Sequence, residues 1–127
     1  MMKLSTINDY FNNILSANAL HDKLKNVLHE YRKKIHIRGI SIPIQIVENV
    51  TISIGYKQVR RVCLSYLDGE LDAIEVQWIC DVLTLSSFVH FENENTMLII
   101  EKLTDSDLIN KNSMDSVVNS ILISLPR

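Results

Sequence analysis

The stretch Leu71–Leu85, LDAIEVQWICDVLTL, constrains the fold more than any other part of the chain. It contains no Gly or Pro, and only Asp72, Glu75, Gln77, Asp81 and Thr84 are polar. At about 100° per residue, Leu71, Ile74, Trp78, Val82 and Leu85 form one apolar stripe. Ala73, Val76, Ile79, Cys80 and Leu83 widen that stripe to most of the circumference, which a surface helix would not carry. The run is therefore expected to be a central, mostly buried helix. Asp68-Gly69 marks a turn before it, and Glu70, Asp72 and Glu75 bring negative charge to the positive end of its dipole.

Around this helix the pattern changes twice. Ser5 is positioned to cap a first helix with Ile7, Tyr10, Phe11, Ile14 and Leu15 on one face. Asn18 can cap a second, whose stripe is Leu20, Leu24, Val27, Leu28 and Tyr31 and which ends in Arg32-Lys33-Lys34. The interruption at Ser16-Ala17-Asn18 suits either two helices or one kinked helix. From Ile40 the period is two. Ile40, Ile42, Ile44 and Ile46 alternate with polar residues, as do Val50, Ile52 and Ile54, and then Val62, Leu64 and Tyr66. This predicts three antiparallel strands with loops at 47–49 and 57–59, the first strand at an edge because Pro43 cannot donate to a ladder. Phe88–Phe91 reads as a short extended piece or a packed turn. In the run 96–103, Met97, Ile100 and Leu103 suit a short helix, while a fourth strand also fits its length. Thr104–Asp107 reads as a turn, and Ser113 caps a last helix stopped by Pro126. The expected fold class is α+β: a three- to four-stranded antiparallel meander packed on one face by the central helix, with flanking helices.

At 127 residues the chain fits a single domain, 1–127, able to bury roughly two-thirds of its unfolded surface. No apolar run approaches the ~18 residues of a membrane span, and nothing after Met1-Met2-Lys3 resembles a secretory signal. With two cysteines, this fits reduced thiols and a cytoplasmic location. The net charge of −2 conceals an asymmetry. Residues 1–67 hold ten Lys and Arg against four Asp and Glu, a balance of +6; residues 68–127 hold three against eleven, a balance of −8. Either oppositely charged faces cancel within one fold, or an acidic surface awaits a basic partner.

Little in the sequence points to catalysis. The four histidines have no second His or Cys at a metal-ligand spacing, and the three glycines are too scattered for a phosphate loop. His90, Glu92 and Glu94 could be drawn as an acid–base cluster, but polar groups beside a turn are far more often solvated surface. Cys80 on an apolar helix is a small hydrophobe whose buried thiol resists ionisation. Arg32-Lys33-Lys34, Arg38 and Arg60-Arg61 lack interleaved aromatics, and Arg60 and Arg61 would point to opposite faces of a strand, so nucleic acid is not the expected partner. No enzyme activity, metal or cofactor is expected.

The acidic residues are the stronger lead. Asp68, Glu70, Asp72 and Glu75 fall within eight positions, and Glu92 and Glu94 follow. Dipole complementation accounts for two or three of them. A basic protein partner would account for the set, since acidic rims speed association and fix orientation. Trp78–Ser87 (WICDVLTLSS), with Leu103–Asn110 (LTDSDLIN) downstream, resembles short bacterial immunity proteins of polymorphic toxin systems, including contact-dependent growth inhibition. The resemblance covers at most residues 68–125. It implies a cytoplasmic, non-enzymatic protein that neutralises one cognate toxin by stoichiometric binding over its active site. Asp68, Glu70, Asp72, Glu75, Glu92 and Glu94 would then face lysines or arginines of the toxin, and reversing Asp72 and Glu75 to Lys should weaken the complex without harming the fold. The alternative is a secretion chaperone of the type III kind, also small and α+β, holding an extended segment of an exported protein, commonly as a dimer. The oligomeric state is open.

Overall fold

Asp72 and Glu75 start the helix at the centre of the molecule. The Asp72 side chain accepts from the Glu75 N–H at 2.8 Å, and Glu75 Oε1 accepts from the Asp72 N–H at 2.9 Å. This reciprocal box satisfies two donors that a helix start otherwise leaves orphaned. The helix, Ala73–Leu85, buries six consecutive residues from Glu75 to Cys80, then Val82 and Leu83. A 3.6-residue period can bury six in a row only when neighbours cover the whole circumference, so the helix is the core element that its composition predicts. Coverage ends at Leu85, which is 71% exposed.

The computed structural model describes residues 2–34 and 44–126. In chain order its elements are α1 (Leu4–Phe11), α2 (Ala17–Val27), α3 (His29–Lys34), β1 (Ile52–Ile54), α4 (Tyr56–Leu67), the central α5 (Ala73–Leu85), β2 (Val89–Phe91), α6 (Glu94–Lys102), α7 (Asp107–Asn110) and α8 (Met114–Ser124). Helices α4, α6 and α7 pack on α5, and α8 packs on α4. Leu4, Ile7, Tyr10, Leu20, Leu24 and Leu28 bring the amino-terminal helices into the same core. None of the described helices is long and apolar enough to cross a membrane.

The expected α+β meander is not what forms. The fold is mostly helical, and its sheet is two short strands, β1 and β2, paired in parallel with Ile52 opposite Val89 and Ile54 opposite Phe91. Parallel neighbours need a long crossover, and the connection here carries both α4 and α5. The third expected strand is helix α4. Its period-two reading rested on Val62, Leu64 and Tyr66, a window too short to separate the two periods. Over the full segment Val59, Val62, Cys63 and Ser65 are the buried positions, whereas Leu64 is 45% exposed. Twelve residues without Gly or Pro, rich in Lys, Gln and Arg, favour the helix. Gly55 precedes it, and its N–H donates to Gln58 Oε1 at 2.9 Å. Only Ile52–Ile54 of the expected second strand pairs, and it pairs with β2. Of the expected first strand, Ile40, Ile42 and the edge argument from Pro43 lie outside the described residues. Ile44–Ile46 is irregular, and Val47 bridges Lys3.

The helix ends also differ from expectation. Neither two amino-terminal helices nor one kinked helix forms: the expected second helix divides at Leu28 into α2 and α3, and Asn13 between α1 and α2 adopts φ 61°, a region that Asn tolerates better than most residues. Ser16, not Asn18, caps α2, accepting from the Ala19 N–H at 3.1 Å. Residues 94–102 are helix α6, with Asn93 accepting from the Thr96 N–H at 2.8 Å. Part of the expected turn at 104–107 winds into the short α7.

Candidate functional site: a mixed-charge concavity beside helix α4

The six carboxylates singled out in the sequence divide into three groups. Glu75 is fully buried and meets His21 of α2, Oε2 to Nδ1, at 2.6 Å. Burial raises its carboxyl above the ordinary value, against which the Asp72 N–H and His21 act in the opposite direction. Asp72 is exposed, but its second oxygen pairs with Arg32 at 2.8 Å. Both residues are therefore occupied within the fold, and Glu75 cannot reach a partner surface. Asp81, further along α5, accepts from the Tyr31 hydroxyl at 2.7 Å. Part of the charge asymmetry along the chain is thus cancelled where α2 and α3 meet α5.

Glu92 and Glu94 form the second group, at the amino-terminal end of α4. The Glu92 carboxylate lies over Gly55, where a Cβ would collide with it. It sits near the α4 N-terminus, where the helix dipole favours negative charge. Glu94 opens α6 and is exposed. His90, opposite Ser53 in the parallel pair, is exposed as well.

Asp68 and Glu70 form the third group, at the other end of α4, about 18 Å away for a helix of twelve residues. They line a surface concavity of about 350 Å³. Lys57, Arg60 and Arg61 share its wall, and Phe11, Leu64 and Ser65 supply an apolar and neutral part. Arg60 and Arg61 do not diverge as a strand would make them. On the helix they are adjacent, and both reach the concavity. The Arg61 guanidinium lies 4.4 Å from the Tyr10 ring centroid and donates to Asn13 Oδ1 and to the Leu15 carbonyl, which fastens the α1–α2 loop to α4. Arg60 donates to the Pro126 carbonyl at 2.7 Å. Behind the wall the Tyr10 hydroxyl lies 2.7 Å from Ser65 Oγ, and burial pushes the phenol up to about 12. Tyr10 therefore holds its proton at neutral pH and cannot serve Ser65 as a base.

Nothing in the residue pattern signals the His21–Glu75 contact, because fifty-four positions separate the two. The concavity could have been found. At helical spacing Lys57, Arg60, Arg61, Leu64 and Asp68 share one face, and only the strand assignment hid it. Both cysteines are buried thiols, Cys63 pushed up to about 11 and Cys80 well above its ordinary value, each chiefly by burial. No protein-family model, curated protein or solved structure matches the chain.

Proposed function

We propose that this protein is a stoichiometric binding protein that neutralises a cognate bacterial toxin, and that the concave surface beside α4 meets the toxin. The observation that carries the reading is the state of Asp68 and Glu70. They stand at a concavity that the half-exposed Leu64 also lines, and neither forms an ion pair with any described Lys or Arg. Recognition surfaces commonly combine an apolar centre with a charged rim. The toxin class comes from the resemblance at Trp78–Ser87 and Leu103–Asn110. Most of those residues are core or short turn here, so they speak to the scaffold, and the binding residues lie elsewhere. The chaperone alternative leaned on an α+β character that the fold does not have.

Growth protection tests the reading. The toxin domains encoded beside this chain's reading frame are expressed with and without it, and the purified pair is weighed in solution. Restored growth together with a one-to-one complex is expected. Toxicity undiminished by the chain, with no complex, would contradict it.

A further inference from the structure

The concavity has a property that its residue types alone do not require. Three cations and two carboxylates share its wall, yet none of the five forms an ion pair within 4.0 Å, with another of the five or with any other described residue. The charges are sorted along α4. Lys57, Arg60 and Arg61 occupy its first half, while Asp68 caps its end and Glu70 follows. Leu64, 45% exposed, lies between them with Phe11 beside it. From Lys57 to Asp68 the axial rise is about 16 Å. Two of the cations are held in place: Arg60 by the Pro126 carbonyl, Arg61 by Asn13, Leu15 and the Tyr10 ring. These partners are neutral, so they fix the guanidinium positions without cancelling their charge. A short surface is thus preset with a positive end, an apolar middle and a negative end.

We propose that the surface receives a protein segment of the opposite polarity: acidic at one end, with a large apolar residue in the middle and basic residues at the other end. In extended form, at about 3.3 Å per residue, five or six residues span the distance. The acidic end meets Lys57 and Arg60, the apolar side chain covers the exposed part of Leu64, and the basic end meets Asp68 and Glu70. This deepens the toxin-binding reading and rests on it, because it states what the toxin must present. A uniformly basic toxin surface would meet Asp68 and Glu70 but be repelled by Lys57 and Arg60.

The test uses the full chain and end-blocked synthetic peptides of one length, read by fluorescence anisotropy at low salt. One is Glu-Glu-Gly-Leu-Gly-Lys-Lys, and a control of equal composition alternates its charges as Glu-Lys-Gly-Leu-Gly-Glu-Lys. The wild-type chain should bind the sorted peptide about tenfold more tightly than the alternating one, since each exposed pair contributes little and several act together. Asp68→Lys with Glu70→Lys should shift the preference to the peptide with Glu at all four charged positions. Lys57→Glu with Arg60→Glu should shift it to the one with Lys at all four, and Leu64→Asp should weaken every peptide. Unchanged urea midpoints show that the variants fold. Equal binding of sorted and alternating peptides, or no binding at about 1 mM, overturns the proposal. Because no toxin enters the assay, that result leaves the growth-protection outcome to stand or fall separately.

Discussion

Glu70 and Glu75 are five positions apart in one acidic run and do opposite work. Glu75 is sealed in the core, closing a capping box and holding His21. Glu70 stands at the rim of a concavity with no ion pair among the described residues. Their chemistry is identical, and topology separates them. The N-cap position turns Asp72 and Glu75 back onto the helix start, where Arg32 of α3 pairs with the exposed Asp72 and His21 of α2 meets the buried Glu75. The turn around Gly69, at φ 78°, leaves Asp68 and Glu70 on the α4 side. A cluster of charges in sequence is therefore not yet a surface.

The comparison can be broken most forcefully at the buried member. Asp72→Lys with Glu75→Lys, the exchange that sequence alone suggests as harmless, places an ammonium group in a closed site beside His21 and removes both halves of the capping box. A loss above about 4 kcal/mol is expected, enough to abolish the cooperative urea transition followed by circular dichroism. Asp72→Ala alone removes the cap and an exposed ion pair with Arg32. It should cost about 1–2 kcal/mol, most of it recovered by Asp72→Asn, which keeps the acceptor.

Protonation sharpens the same contrast. The Glu75 carboxyl is raised in the folded state, so the native protein holds its proton at pH values where the unfolded chain has released it. Its contribution is complete below the ordinary value of 4.5 and is lost as pH rises through the folded value. Unfolding free energies measured from pH 4 upward should therefore fall for the wild type relative to Glu75→Gln, which has nothing to titrate there. The smallest effect belongs to the rim: Asp68→Ala should change stability by no more than about 0.5 kcal/mol, measured by the same urea titration.

The central helix was legible because fifteen residues with few polar breaks leave one explanation, a helix covered on all sides. The amino-terminal stripes Ile7–Tyr10–Phe11 and Leu20–Leu24–Leu28 were legible from their helical spacing, although Ile14, expected on the first stripe, lies beyond α1 and is 73% exposed. Helix α4 was not, because Val62, Leu64 and Tyr66 alternate by chance: on the helix Leu64 falls on the face opposite Val62 and is half-exposed. Reading eleven residues from Tyr56 shows the buried set at helical spacing. That misreading also scattered Lys57, Arg60 and Arg61 over two strand faces and hid the concavity. The parallel pairing of β1 with β2 could not be read from strands of three residues, which carry almost no periodic signal. The fates of Asp72 and Glu75 depended on partners forty or more positions away, Arg32 and His21.

The division of one acidic run into a structural half and an available half is tested most directly by urea unfolding of Glu75→Ala and Glu70→Ala side by side near neutral pH. The structure predicts a loss of about 2–4 kcal/mol for Glu75→Ala, which strands the Asp72 N–H and His21, and a change within about 0.5 kcal/mol for Glu70→Ala. Equal losses for the two variants would contradict it.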